Sequence, residues 1–338
     1  MNKKLIALAV AGATFAPAAM AQAANPVTLY GRVYVTLESV KAAGGDTPTS
    51  QRLRVSDNAS LLGVRMTEDL GGGLKAFAQL ETGFAADASQ TSFATRNSGI
   101  GLQGGFGTVM MGRWDMPFKL ATIAIDPFGD LTIGGITSAA NDFGNFDRRD
   151  QNVVQYWSPT MAGFAVRVAY QANEGKTATL NPNNEGASLT YSKGPLYAFF
   201  AYEKHKDVSA TLRKEEGNSI GGSYTFGPVK VGALAQEYKK TALTKKKTMM
   251  ANAVYTSGKH QFMYQFTNTK DGGAEGTTQP DCDVNALGYQ YNFTRRTFSL
   301  VQYTKVKNNA TSACRAGSFV SGNNSDPEGF SVGLRHVF

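Results

Sequence analysis

The sequence predicts an all-β fold in which the strands close into an antiparallel barrel. Glycine and aromatic residues are plentiful, and Gly, Asn and Asp cluster between short strand-like runs. Within the runs, apolar and polar residues alternate with the period of two that puts them on opposite faces of a strand. Tight glycine turns alternate with long polar loops between the runs, a rhythm that a soluble two-sheet sandwich rarely keeps.

Residues 1–21 predict a cleaved export signal that is not part of the fold. Two lysines precede an apolar run at residues 5–15, and an Ala-Met-Ala sequence ending at Ala21 supplies the small residues of a cleavage site. We expect cleavage after Ala21, with Ala23 or Ala24 as alternatives. The apolar run is shorter than the roughly 18 residues that a membrane-spanning helix needs, which argues against an anchor.

Residues 22–338 contain no second apolar run of spanning length, so a helical membrane protein is excluded. The formal net charge is +8, and two of these charges are the lysines of the signal. A basic balance in an exported chain favours anionic solutes or anionic lipid over nucleic acid as partners. We therefore expect one barrel domain over residues 22–338 and no nucleic-acid partner.

The first predicted strand, VTLYGRVYVTLE, shows the alternation that the later strands repeat. One face is apolar and carries Val27, Leu29, Val33 and Val35, whereas the other face is polar. Fifteen similar segments follow, and a total of sixteen is an even number, as in single-chain bacterial outer-membrane barrels. Tight turns are predicted at residues 69–73, 104–107, 160–163, 193–195, 227–228, 257–259 and 294–296, and polar loops at residues 41–58, 86–95, 173–185, 205–216, 239–247, 269–281 and 307–327.

Cationic side chains decide which face of the strands meets water. The face opposite the apolar one carries Arg32, Arg65, Lys75, Arg113, Arg167 and Arg335. The dry core of a sandwich would not tolerate so many unpaired charges, whereas a water-filled lumen does. A closed barrel also has no sheet edge, so its backbone groups are all paired within a membrane. The apolar face, which ends with Phe330, Val332 and Leu334, then meets lipid.

Residues 114–149 interrupt the rhythm between two convincing strands. The segment is far longer than a usual connection and too apolar for a disordered linker. It carries several aspartates and ends in the pair Arg148 and Arg149. We expect a long, partly buried loop that folds against the rest of the chain.

Several motifs together resemble the general porins of Gram-negative bacteria, in their beta-proteobacterial branch. They are VTLYGRV, GVRMTEDLGGGLKAFAQLE, FGTVMMGR, VQYWSP and the terminal GLRHVF, and the match covers nearly the whole mature chain. The resemblance implies a sixteen-stranded transmembrane β-barrel, a homotrimer and passive diffusion of small hydrophilic solutes across the outer membrane. It also implies that the third extracellular loop, residues 114–149, folds inward and constricts the pore. Phe338 resembles the terminal signal read by the barrel-assembly machinery.

The resemblance also implies which residues line the constriction. Asp126 and Asp130 match the acidic residues of the loop, and Arg96, Arg113 and Arg149 match basic positions of the wall. We add Arg65 and Arg32 because they share the inward parity of their strands, and we expect weak anion selectivity because arginines outnumber aspartates. The chain departs from the family pattern in two places: DPFGDL replaces a PEFGG-like turn, and Leu61 occupies a position where some relatives carry an arginine. Asp142 and Asp147 are expected to cap the loop or to be solvated.

Cys282 and Cys314 are the two cysteines of the chain. An even count in an exported protein permits one disulfide between two surface loops, and two unpaired thiols are the alternative.

Signatures of enzymes and cofactors are missing. His205, His260 and His336 stand alone, without the spacing of a zinc site, and no nucleophile elbow or phosphate loop occurs. We therefore expect no enzyme, no metal and no cofactor. The lysines of residues 239–247 predict a solvated loop tip or a contact with lipopolysaccharide. A general diffusion porin is the leading function, and the alternatives are a substrate-specific anion channel and a non-conducting adhesin or structural barrel.

Overall fold

The computed structural model describes residues 27–45, 48–88, 93–129, 131–136, 146–209, 214–240, 244–272, 281–309, 314–319 and 324–338. The predicted export signal lies outside these residues, and so do Asp130 and Asp142 of the long insertion.

The strands form one antiparallel sheet that closes on itself. From β3 onward each strand pairs with the next one in the sequence, and β17 pairs with β1 from Arg32 opposite Val337 to Ala43 opposite Asp326. At the end of the chain, the backbone N–H groups of Gly31 and Phe338 each donate to the other residue's carbonyl, with N···O distances of 3.0 Å. The strands are β1 (Val27–Ala43), β2 (Thr49–Asp57), β3 (Leu61–Gly71), β4 (Leu74–Gly83), β5 (Ser98–Gly104), β6 (Gly107–Asp115), β7 (Arg149–Trp157), β8 (Phe164–Gln171), β9 (Asn183–Lys193), β10 (Leu196–Lys206), β11 (Lys214–Phe226), β12 (Val229–Lys240), β13 (Thr244–Ser257), β14 (His260–Gly272), β15 (Asp281–Asn292), β16 (Thr297–Asn308) and β17 (Asp326–Val337).

The predicted sixteen-stranded barrel is confirmed, with its second wall strand in two segments. Both β2 and β3 pair with β1. The first residues of β1 pair with β3, and the later residues of β1 pair with β2. A short break at residues 58–60 separates them, and Ala59 has a positive φ of 59° there. The prediction of a loop over residues 41–58 is therefore wrong for most of its length. In β2 the alternation includes two aliphatic residues, Leu53 and Val55, among polar and charged ones, which hides the strand in the sequence.

Other strands also run further than the apolar alternation predicts. The predicted basic loop at residues 239–247 is mostly strand, because β12 continues to Lys240 and β13 begins at Thr244. The loop predicted at residues 205–216 shortens in the same way, since β10 ends at Lys206 and β11 begins at Lys214. Backbone pairing continues beyond the apolar belt, where polar residues occupy both faces and the pattern of two disappears.

The outer face of the barrel is apolar and the inner face is polar. Exposed large apolar residues recur at every second position, for example Val33 and Leu37 in β1 and Val332 and Leu334 in β17. The intervening positions include buried polar residues such as Thr36 and Glu38. An exposed apolar band of this kind is the lipid-facing surface of a transmembrane barrel, in which the two faces alternate along each strand.

After Asp115 the chain leaves the sheet and lies against the inner face of the barrel. A short helix, α1 (Pro117–Thr122), is followed by a single 3₁₀ turn (Ile123–Ile125). Phe118, Ile125 and Phe146 of this segment are buried among inward-facing apolar residues of β10, β12 and β13. Across the described ranges, no helix is both long and apolar enough to cross a membrane.

Glycines of the barrel wall make room for this segment. A Cβ atom built on Gly288 would lie 2.5 Å from the Phe128 ring, and one built on Gly217 would lie 2.8 Å from the Phe146 ring. These distances are far below van der Waals contact, so only glycine lets the two rings lie against the strands. Further along, the side-chain amides of Asn252 and Gln265 donate to carbonyl groups of the segment, at 2.8 and 3.2 Å.

The last loop of the chain covers the end of the same segment. Cys282 and Cys314 form a disulfide with a Cα–Cα distance of 6.3 Å. Both sulfur-bearing residues are buried in a cluster with Ile133. A Cβ atom built on Gly317 would lie 3.0 Å from Cα of Ile133, and the left-handed φ of 59° there also favours glycine. The disulfide therefore ties the last loop to β15, next to Ile133 of the inserted segment (residues 114–149).

We predict that Gly288→Val destabilises the protein by about 1–3 kcal/mol, the usual cost of overpacking. The added side chain would collide with Phe128 and push the segment away from the wall. Urea unfolding in lipid vesicles measures the loss, and limited proteolysis should show new cleavage within residues 126–136. The control is Ala251→Val, which adds two methyl groups on the exposed outer face. Equal stability of the two variants would contradict the packing described here.

We predict that replacing both cysteines by serine lowers the free energy of unfolding by about 3–4 kcal/mol. The disulfide closes a separation of 32 residues, and in the chain-entropy model a loop of this size has that effect. Removing both thiols together avoids a reactive free cysteine. Wild-type protein unfolded in a reductant should match the double variant, and an unchanged unfolding midpoint in both cases would rule out a stabilising bridge.

Candidate functional site

Two internal cavities bring predicted site residues together. The wall cavity, defined by Arg96, Arg149 and the nearby serine hydroxyls of β2 and its break, has a volume of about 410 Å³. The loop cavity, defined by Arg32, Asp126 and the residues around them, has a volume of about 300 Å³. The candidate residues are therefore divided between two places in the lumen.

Arg96 is held by a carboxylate of the wall. Its Nε donates to Oε1 of Glu81 at 2.8 Å, and its backbone N–H donates to the Glu81 carbonyl at 3.0 Å. The other oxygen of Glu81 accepts a hydrogen bond from the Tyr30 hydroxyl at 3.1 Å. Glu81 is buried and faces inward from β4, so it fixes the guanidinium at the edge of the wall cavity.

Arg149 makes a second ion pair within the wall. Its guanidinium lies 3.0 Å from Oδ1 and 3.1 Å from Oδ2 of Asp115, the residue opposite it where β6 and β7 pair. Its Nε also donates to the side-chain oxygen of Asn97 at 2.6 Å. Because Nη2 contacts the carboxylate while Nε donates to the amide oxygen, two separate acceptors hold the guanidinium in one orientation. Arg149 is thereby fixed where the inserted segment rejoins the barrel.

Arg65 and Arg113 line neither cavity and have no carboxylate partner in the described part of the chain. Arg65 donates to the amide oxygen of Gln79 at 2.7 and 3.0 Å and lies over the Tyr30 ring. Arg113 sits at an irregularity of the β6–β7 pairing, and its buried Nε has no hydrogen-bond partner among the described residues. Their positive charges are therefore left uncompensated by any carboxylate of those ranges.

Asp126 uses its carboxylate within the inserted segment. Its oxygens accept hydrogen bonds from the backbone N–H groups of Phe128 at 3.0 Å and of Ile136 at 2.8 Å. Asp126 lines the loop cavity together with Arg32, whose Nε donates to the carbonyl of Ala59 at 2.8 Å. Asp126 thus stabilises the turn and shares a cavity with Arg32, whereas Arg96 and Arg149 lie in the other cavity.

Asp147 is not a solvated residue. Its Oδ1 lies 3.4 Å from Nζ of Lys119, which is also 3.7 Å from Oδ1 of Asp115. Lys119 belongs to α1, so this network joins the beginning and the end of the inserted segment.

His205 is not an isolated histidine. Its ring nitrogens lie 2.8 Å from Glu203 and 3.2 Å from Glu215, and its ring stacks on Phe146 at 4.8 Å between centroids. All three polar residues are buried. Among the described residues, no group of three or more histidine, cysteine or acidic side chains is arranged to hold a metal. Through the stacking of His205 on Phe146, the cluster supports the inserted segment.

The sequence analysis missed the acidic partners that come from the wall itself. Glu81 and Asp115 pair with Arg96 and Arg149, and Glu38 pairs with Arg54 at 2.6 Å. The inward parity of Glu38 and Glu81 was a usable signal, because each alternates with residues of the lipid-facing side.

A closed barrel with an apolar exterior and paired charges around internal cavities is the construction of a channel of a bacterial outer membrane. Residues 7–311 match the family described as Gram-negative porin. The chain belongs to this family, and it is accordingly an outer-membrane channel and not an enzyme.

Individual relatives agree with this membership. The outer membrane porin protein 32 of Delftia acidovorans is 32% identical over 364 residues, which cover 100% of both chains. The major outer membrane protein P.IB of Neisseria gonorrhoeae is 26% identical over 333 residues, covering 89% of this chain and 92% of that one. Among solved structures, the anion-selective porin from Comamonas acidovorans is similar with a TM-score of 0.80 and 25% identity, covering 93% of this chain and 100% of that one.

We predict that Glu81→Gln makes the channel more selective for anions. The amide still accepts a hydrogen bond, but one negative charge beside Arg96 is lost. A unit charge several Å from the ion path in water should change the chloride-to-potassium permeability ratio about two- to threefold. Reversal potentials in a KCl gradient at low salt measure the ratio. Glu328→Gln makes the same chemical change at the start of β17, next to the last long loop. An equal shift of the permeability ratio in this variant would contradict the prediction.

Proposed function

We propose that the chain is a general diffusion channel for small hydrophilic solutes and ions, with a weak preference for anions. The observation that carries this proposal is the excess of arginine in the described lumen. Arg96 and Arg149 are each matched by one wall carboxylate, whereas Arg65 is bound to a neutral amide and the Nε of Arg113 has no partner among the described residues. The charge left over attracts anions, because charged side chains at a pore set its selectivity.

The inserted segment supports the second part of the proposal, that residues 114–149 narrow the pore. The segment lies on the inner face of β10–β16, and the wall from β2 to β7 carries Arg96, Arg113 and Arg149 on the other side of the lumen. Solutes would then pass between the segment and this basic wall. Asp130, which lies outside the described residues, is proposed to add an acidic group on the side of the segment.

The similarity to a porin described as anion-selective also supports the proposed preference. A substrate-specific anion channel is the nearest alternative function. Binding of one class of solute at a defined place in the lumen would favour it, and the loop cavity offers such a place.

Several further parts of the proposal concern assembly. We propose that residues 1–21 are removed on export, that Phe338 serves as a terminal assembly signal, and that the channel is a homotrimer. A solved structure of the similar OmpT of Vibrio cholerae, with a TM-score of 0.72 and 15% identity, is described as a trimer form. The exposed Lys239, Lys245 and Lys247 stand on the outward face at the loop end of β12 and β13, a suitable position for contact with the phosphates of lipopolysaccharide.

We predict a chloride-to-potassium permeability ratio above one and below about ten for the purified protein in planar bilayers. Arg65→Gln should lower this ratio without leaving a carboxylate unpaired, because the partner of Arg65 is the amide of Gln79. Arg295→Gln is the matched control, since it removes an equal charge from an exposed turn. Cation selectivity would refute the proposed preference, and a protein that inserts without conductance would support a plugged structural barrel instead.

A further inference from the structure

We infer that the loop cavity is a binding subsite for a small monocarboxylate with an apolar body. This inference deepens the proposed diffusion function and rests on it. It is carried by buried hydrogen-bonding groups without partners that border one cavity, together with two arginines on the same border.

Tyr34 is the first of these groups. Its side chain is only 6% exposed, it lines the loop cavity, and its hydroxyl has no hydrogen-bond partner among the described residues. A buried hydroxyl without a partner is destabilising, so such groups usually meet a ligand or an ordered water. The Tyr34 side chain therefore carries an unused hydrogen-bond donor at the border of the cavity.

Arg335 is the second group. It lies opposite Tyr34 where β17 pairs with β1, its guanidinium stacks over the Phe298 ring at 5.3 Å, and its buried Nε lacks a partner in the same ranges. Arg32, on β1 two residues before Tyr34, also borders the cavity. The Arg335 guanidinium and the Tyr34 phenol provide donors that a carboxylate accepts, and Arg32 adds a second positive charge. Hydrogen bonds to an ionised group are the stronger kind.

The rest of the lining limits which anion fits. Phe298, Leu300 and Leu131 give the cavity an apolar side against which the body of a ligand can pack. Asp126 lies on the same lining, and its negative charge would repel a second carboxylate. The cavity of about 300 Å³ therefore suits a monocarboxylate with a compact apolar group, and disfavours a dianion.

The position of the cavity separates this subsite from the wall cavity. Phe298 and Gln261 are each the second residue of a strand that begins after a short turn, and Arg335 is three residues from the end of the chain. In outer-membrane barrels the short turns face the periplasm. The subsite therefore lies toward the periplasmic end of the lumen, beside residues 126–129 and 131–132 of the inserted segment.

The test uses the full-length protein in planar bilayers, with benzoate as the probe. KCl conductance is measured first, and benzoate is then titrated at constant ionic strength, with benzyl alcohol as the neutral analogue and phthalate as the dianion. We expect a saturable decrease of single-channel conductance with benzoate, none with benzyl alcohol, and a weaker one with phthalate.

Three variants locate the effect. Arg335→Gln should raise the half-blocking concentration of benzoate about tenfold, because it removes a charge as well as a donor, and Tyr34→Phe about threefold, because it removes one hydrogen bond only. Arg167→Gln is the control, because it removes an equal charge from another lumen-facing arginine, one stacked on Trp157. Tyr34→Phe removes only a hydroxyl that has no partner in the described structure, so it should fold normally even if Arg335→Gln does not.

The outcomes separate this inference from the proposed function. Absence of KCl conductance would overturn the diffusion channel and the subsite with it. If KCl conductance is normal but benzoate does not block the channel, the subsite alone is overturned. The same conclusion follows if the block is weakened equally in Arg335→Gln, Tyr34→Phe and Arg167→Gln. Water would then be the partner of Tyr34. Block weakened in Arg335→Gln and Tyr34→Phe but not in Arg167→Gln supports the assignment.

Discussion

The pairing of every backbone N–H and C=O group inside an apolar surrounding is the constraint on which this structure depends. A flat sheet would leave two edges unpaired in lipid, at a cost of several kcal/mol for each group. Pairing of β17 with β1, continued by the mutual hydrogen bonds of Gly31 and Phe338, removes both edges. Once the sheet is closed, irregular backbone is tolerated where it faces the lumen. The inserted segment, which is neither strand nor long helix, uses this freedom.

Closure also determines where charge can be placed. Because the outer face must be apolar, every arginine of the membrane region has to point inward, and the wall supplies its own carboxylates to some of them. Glu81 and Asp115 come from strand positions near the arginines they bind, so these pairs are local and rigid. The charges with no such partner in the described ranges are the ones left to act on solutes. Selectivity in such a wall depends on the difference between the numbers of arginine and carboxylate side chains more than on any single arginine.

The sequence predicts the fold well because one physical pattern, the alternation of apolar and polar residues, repeats in nearly every strand. It fails where that pattern ends. The sequence of β2 resembles a loop because Arg52 and Arg54 flank Leu53, and the polar ends of β12 and β13 lack the apolar alternation for a similar reason. The total of sixteen strands was still correct, since β2 and β3 belong to one strand of the wall.

The site was less accessible to sequence reasoning. Parity along a strand indicates which side chains point inward, but it does not reveal which partner each one selects. Asp126 was expected to face arginines across water, and its two oxygens instead bind the backbone of its own turn while Arg32 shares its cavity. Such a choice depends on the path of the loop in space. The path depends in turn on Gly217 and Gly288, whose importance is invisible until Phe146 and Phe128 lie on them.

The contacts of Ile133 have a consequence for the order of assembly. This residue of the inserted segment packs beside the disulfide of Cys282 and Cys314, and a Cβ atom built on Gly317 or Gly329, near the end of the chain, would lie within 3.4 Å of it. The segment is synthesised long before those partners, so its apolar side chains cannot reach their final places until the last strands have paired. Contacts between such distant parts of a sequence form slowly. The lumen should therefore acquire its final shape only as the last step of folding, after the cylinder around it is complete.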